Sequence, residues 1–83
     1  RLVAGVQIAR DKIFILLHLP RIEIHEIDES GKVQKVYYSQ RLNNIVDYRG
    51  FALRPDGPDY FAYIVTVSEE EISLYTFKIK QTR

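Results

Sequence analysis

Short apolar runs alternate with polar turns in the first third of the chain. Residues 2–8 are apolar apart from Gln7, and residues 13–19 are apolar apart from His18. Runs this short, rich in branched and aromatic residues, are typical of strands covered on both faces. The alternative for residues 13–19 is a buried helix, which Pro20 would limit to about two turns.

The middle of the chain predicts two further strands and a connector. In residues 21–28, isoleucines and polar side chains alternate at first, as they do on a strand with one buried face. Residues 29–32 predict a turn, and residues 33–39 form a weaker pattern that suits an outer strand. Residues 40–44 read as a connector.

The second half repeats this alternation. An apolar pattern returns over residues 45–53, the segment 54–59 carries two prolines and a glycine and predicts a turn, and residues 60–67 predict a buried strand. Residues 71–79 alternate again. No window carries a capped apolar stripe at helical spacing. The predicted class is therefore all-β, an antiparallel meander of about seven short strands.

The two halves can be aligned as copies of one unit. Gly5 aligns with Gly50 at an offset of 45, residue 13 with residue 61 at 48, and Ile22 with Ile72 at 50. A period in the forties that is built from short strands is typical of β-propellers.

On these segments the chain resembles β-propeller blades, most nearly those of the NHL and WD classes. The resembling segments are residues 5–8 as a glycine-led inner strand, residues 13–19 as the second strand, and residues 21–32 as the third strand with an Asp-x-x-Gly-Lys turn. The resemblance implies a blade-like repeat over residues 1–39, the connector at 40–44, and a second blade-like repeat over 45–83 that lacks a clear fourth strand.

Two blades do not close a ring of about four to eight. The chain is therefore expected to be a fragment of a larger propeller or to complete a ring by association. The resemblance implies a structural and protein-interaction module of a propeller scaffold, with protein partners or further blades as its neighbours. One alternative is a non-catalytic segment of a larger propeller enzyme. Another is a free-standing β-sandwich or small barrel with an accidental repeat.

Composition narrows these expectations further. The chain has 83 residues and a formal net charge of +1, which gives no global electrostatic reason to expect nucleic acid or an anionic membrane as partner. The longest unbroken apolar run, residues 13–17, is far short of the roughly 20 residues that a membrane-spanning helix needs. Cysteine is absent, which excludes disulfides and thiolate metal sites and favours an intracellular location, cytoplasmic or nuclear.

Basic and aromatic residues interleave in the middle of the chain. Positive charges next to aromatic rings are what single-stranded nucleic acid binds. A small nucleic-acid-binding β-domain is therefore a second hypothesis, and the same residues could instead contact a protein partner. The predicted partner-binding residues are Lys35, Tyr37, Arg41, Tyr48, Arg49 and Arg54.

Candidate chemistry is sparse. Glu23, His25 and Asp28 could approach a metal ion, but two histidines without cysteine make a poor zinc set. Asp56 and Asp59 flank a turn without the further ligands of a calcium loop. Catalytic and phosphate-loop motifs are absent from the sequence. We therefore expect neither an enzyme nor a cofactor or metal site.

Overall fold

The computed structural model describes residues 2–42 and 47–81, which contain seven strands in two sheets. The strands are Val3–Ala9 (β1), Lys12–Leu17 (β2), Arg21–Ile27 (β3), Val33–Arg41 (β4), Asp47–Asp56 (β5), Asp59–Val67 (β6) and Ile72–Ile79 (β7). The first sheet has the order β1-β2-β3-β4 and the second β5-β6-β7, and every neighbouring pair is antiparallel. The predicted all-β meander is confirmed, and β2 replaces the helix considered for residues 13–19.

The turns are tighter than the sequence predicts. β5 continues to Asp56 and β6 begins at Asp59, so only two residues remain of the turn expected over 54–59. One of them is Gly57, whose φ of 60° lies in the left-handed region that favours glycine. The connector expected over 40–44 also starts later, because β4 extends to Arg41. Residues 43–46, which include the rest of that connector and the start of the strand expected over 45–53, lie outside the described residues.

One face of each sheet packs against the other to form a single core. Phe14 of β2 and Tyr60 of β6 meet edge to face, with ring centroids 5.4 Å apart. β1 lies against β5, where an ideal Cβ at Gly5 would come within 3.1 Å of the Phe51 Cβ. The absence of a side chain at Gly5 therefore allows the two strands to approach closely. The buried residues of the core are Phe14, Leu16, Ile22, Ile24, Tyr48, Tyr60, Ala62, Ile64 and Ile79.

Strand register allows the two sheets to be compared position by position, starting from the glycine in the first strand of each sheet. Gly5 in β1 and Gly50 in β5 each follow a register shift. The cross-strand row that contains this glycine is called here the glycine row. It consists of Gly5, Leu16 and Ile24 in the first sheet and of Gly50, Val65 and Leu74 in the second. The second strands are thus offset by 49 positions, not the 48 predicted from the sequence. The row of the first sheet faces the second sheet, whereas the same row of the second sheet faces away from the first.

Candidate interaction surfaces

The first sheet has an apolar face that points away from the core, called here the first outer face. Two cross-strand rows form it, one starting at Val6 of β1 and the other at Ile8. Val6 is 52% exposed and Ile8 is 72% exposed. Scattered apolar residues are normal on protein surfaces, but adjacent rows across four strands form a continuous patch. The apolar members of these rows are Val6, Ile8, Ile13, Ile15, Ile27, Val33 and Val36.

A buried carboxylate lies at the lower end of this face, the end where β3 begins. Glu23 Oε1 accepts hydrogen bonds from Arg21 Nε at 3.1 Å and Nη2 at 2.7 Å. Glu23 Oε2 lies 2.7 Å from His25 Nε2, which donates when that nitrogen carries a proton. The hydrogen bond with His25, followed by that with Arg21, lowers the pKa of Glu23 below its ordinary value of 4.5. Buried charge is thus compensated within this face.

A groove of about 710 Å³ opens beside this ion pair. The Arg21 guanidinium covers the Tyr38 ring, with its Cζ 4.2 Å from the ring centroid. Arg41 at the end of β4 lies opposite Arg21 in the β3–β4 ladder and forms no ion pair with any described residue. The lower end of the first outer face therefore carries uncompensated positive charge. The groove is lined by Leu19, Pro20, Arg21, Glu23, Tyr38, Ser39, Gln40 and Arg41.

The second sheet also has an unpartnered face, the second outer face. Leu74 is 62% exposed and Ile72 is 76% exposed, both on the edge strand β7. Arg54 donates to the Tyr63 hydroxyl at 2.9 Å and covers the Phe61 ring at 5.0 Å from its centroid. This face is apolar, with charged side chains along its upper end, which is the end where β7 ends. Its members are Gly50, Ala52, Arg54, Phe61, Tyr63, Val65, Val67, Ile72, Leu74, Thr76 and Lys78.

A polar network joins the two sheets at the upper end, where β3 and β7 end. The Gln81 amide nitrogen donates to the Tyr37 hydroxyl at 2.8 Å, and its backbone N–H donates to Asp59 Oδ1 at 2.8 Å. Lys12 contacts both Gln81 and Glu26. Burial, followed by the Glu26 charge, raises the pKa of Tyr37 to about 12. The polar side chains of this network therefore find their hydrogen-bond and ion-pair partners in one another.

The six predicted partner-binding residues do not form one surface. Lys35 and Tyr37 lie on the side of β4 that continues the inner face, and Arg54 lies on the second outer face. Arg41 lines the groove. The other two lie at the same lower end: Tyr48 is buried there, and Arg49 pairs with Asp47 at 3.1 Å.

Tyr48 has a structural role that its place in the basic-aromatic segment did not indicate. Its hydroxyl lies 2.6 Å from the Leu19 carbonyl and 2.9 Å from the Arg21 carbonyl, and it donates its one proton to these oxygens. It thereby ties the start of β5 to the loop between β2 and β3. Burial raises the pKa of Tyr48 above its ordinary value.

Glu23 and Gln81 each form several hydrogen bonds that the sequence pattern did not predict. The alternation over residues 21–28 placed Glu23 on the same face as Arg21 and His25, which was the available signal. Gln81 gave no signal, since it falls in a polar terminal stretch. Within the described residues, acidic and histidine side chains form no cluster suited to a metal ion. The described part of the chain also contains no helix with the length and apolarity to span a bilayer.

Comparison with protein-family models, with curated proteins and with solved structures gives no match to this chain.

Proposed function

We propose that this chain is a structural and protein-interaction module, a pair of blade-like sheets of a β-propeller scaffold. Its neighbours are further blades or partner proteins that cover the two outer faces. The observation that carries the proposal is a pair of equivalent residues. Ile24 is fully buried between the sheets, whereas Leu74, at the same ladder position of the second sheet, is 62% exposed.

The energetics of the outer faces support this role. Fully burying one Val, Leu or Ile side chain contributes about 1.5–3 kcal/mol relative to leaving it exposed. Val6, Ile8, Ile72 and Leu74 are all more than half exposed and lie on two different faces. A neighbouring layer that covers either face would therefore gain several such contributions at once. Patches of this kind mark protein interaction sites.

The direction of stacking supports a repeated architecture. In the joint between the two sheets, called here the inner joint, the glycine row of the first sheet faces the side of the second sheet that carries Phe51. A joint of this type can be repeated at both ends, because the first sheet keeps its Val6 side free and the second sheet keeps its glycine side free. Propeller blades stack in series around a ring, which is the arrangement that this geometry allows.

Site-specific crosslinking in the natural protein tests the proposal. A photoreactive residue at Val6 or Leu74 is expected to crosslink to another polypeptide or to a distant part of the same chain. The matched control is Lys32, which is exposed in the turn between β3 and β4 and is expected to give no specific adduct. Mass spectrometry of the adducts identifies the neighbour. Absence of specific adducts from both outer faces would contradict the proposed role.

A further inference from the structure

We propose that the second outer face binds the first outer face of a second copy of this chain, in the same direction as the inner joint. This inference rests on the proposed function, and it identifies a second copy of the chain as the partner that covers the two outer faces. Association is then head to tail, since the two surfaces that meet are different. Three features of the molecule point to the second copy as occupant.

The first feature is the equivalence of the glycines. In the inner joint, Phe51 of the second sheet lies over Gly5 of the first. The residue equivalent to Gly5 is Gly50, and the residue equivalent to Phe51 is Val6, each next to its glycine in the sequence. Within the described residues, the only heavy atoms near a Cβ built on Gly50 belong to Val65, its own ladder neighbour. Val6 of a second copy fits over this position as Phe51 fits over Gly5.

The second feature is charge complementarity at the lower end. His18 and Asp47 approach to 3.5 Å across the inner joint there. In the second sheet, the place of the loop that carries His18 is taken by the turn between β6 and β7, which holds the exposed residues Glu69, Glu70 and Glu71.

On the first outer face, the same end carries Arg21 and the exposed Arg41 beside the groove. Stacking in the same direction places the acidic turn of one copy at the same lower end of the interface as the arginines of the next. Opposite charges at the same end of the two faces favour this direction of stacking and disfavour the pairing of two like faces.

The third feature is the size of the faces. Strands of about eight residues at 3.3 Å per residue, spaced about 4.8 Å apart over four strands, give a face of roughly 500 Å² in projection. The second sheet has three strands, and its face is therefore roughly 380 Å² by the same reckoning. The two faces together give roughly 900 Å² in projection, close to the roughly 1,000 Å² that a specific interface requires. The chain also exposes 5650 Å², somewhat more than the roughly 5,200 Å² expected for a folded monomer of 9.8 kDa.

A head-to-tail joint can be tested by complementation between two variants. V6E places a charge on the first outer face, and L74E places one on the second. Each single variant blocks one half of the joint and is expected to sediment as a monomer of about 9.8 kDa at a concentration where the unmodified 83-residue chain associates. Each variant still has one intact face of the opposite kind. An equimolar mixture is therefore expected to form a dimer of one V6E and one L74E chain, capped at both ends.

The outcomes separate the alternatives. A monomeric unmodified chain at high micromolar concentration overturns the proposal, and so does a mixture of the two variants that stays monomeric. Persistent association of either single variant would mean that like faces or sheet edges pair instead. I8E and I72E repeat the design if circular dichroism shows that a first variant is unfolded. Crosslinks from Val6 or Leu74 to other sheets, without self-association, would leave the proposed function standing and remove only the second copy.

Discussion

The two sheets contain positions that correspond in the strand ladders but differ in burial. Ile24 and Leu74 occupy the same place in the ladder, yet Ile24 is fully buried and Leu74 is mostly exposed. The same holds on the opposite side, where Ile64 is fully buried and its counterpart Ile15 lies on the first outer face. What differs is the neighbour and not the local pattern. Burial at these positions therefore depends on which face of each sheet meets the other sheet.

The largest expected difference is between alanine substitutions at the two equivalent residues. Ile24→Ala leaves a cavity in the joint and is expected to lower the free energy of unfolding by about 2–5 kcal/mol. Leu74→Ala removes exposed atoms and is expected to change it by less than about 0.5 kcal/mol in the monomer. Urea denaturation of both variants at low concentration measures this difference. Equal losses would contradict the assignment of inner and outer faces.

The equivalent glycines give the next largest difference. Gly5→Ala pushes a Cβ to 3.1 Å from Phe51 Cβ across the joint. Overpacking of this kind is expected to cost about 1–3 kcal/mol. Gly50→Ala meets only Val65 at an ordinary 3.4 Å, and its cost is expected to stay within about 0.5 kcal/mol. Thermal unfolding of the pair under identical conditions tests the contrast, and a greater loss at Gly50 would reverse it.

Two tyrosine hydroxyls sharpen the comparison between the joint and an outer face. Tyr48→Phe removes the donor shared by two loop carbonyls and is expected to cost about 0.5–1.5 kcal/mol. Tyr63→Phe removes only the acceptor of an exposed bond from Arg54 and is expected to be close to neutral. Chemical denaturation of both variants at neutral pH gives the two values. A neutral Tyr48→Phe would mean that these carbonyls are satisfied without the hydroxyl.

The smallest effect concerns pH and the Glu23 carboxylate. Because hydrogen bonds hold the folded-state pKa of Glu23 below 4.5, its stabilisation is present above that pH and is lost as pH falls through the folded pKa. Glu23→Gln is therefore expected to flatten the acid side of the stability profile. Glu70→Gln, in the exposed acidic turn, serves as the control. Stability profiles that stay parallel for the unmodified chain and Glu23→Gln would contradict this role.

The strands could be predicted from the sequence because alternation is a local property. The faces of β7 are an example, with Ile72 and Leu74 on one side and Tyr75 and Phe77 on the other, and the register confirms them. The turn over 54–59 was predicted too long, since Pro55 lies in the edge strand β5, where a missing backbone donor is tolerated.

The interaction surfaces could be predicted only in part. Nearness in sequence grouped Arg41, Tyr48 and Arg54, but the faces that these side chains occupy depend on where each strand stacks. The one-residue error in aligning the second strands has the same origin, because a shift of one position exchanges the two faces of a strand. Sequence similarity between short apolar segments does not record that parity. The network around Gln81 depends on contacts between distant segments, which local patterns do not encode.

The central claim is that the two sheets stack in one direction, so that the first sheet leaves its Val6 side open and the second sheet leaves its glycine side open. Nuclear Overhauser contacts in the V6E/L74E double variant, which should be monomeric, test it most directly. The account predicts contacts between the Gly5 α protons and the Phe51 ring and between the Phe14 and Tyr60 rings, with none between Gly50 and any residue of the first sheet. Contacts from Gly50 to residues of the first sheet, in place of those from Gly5, would contradict it.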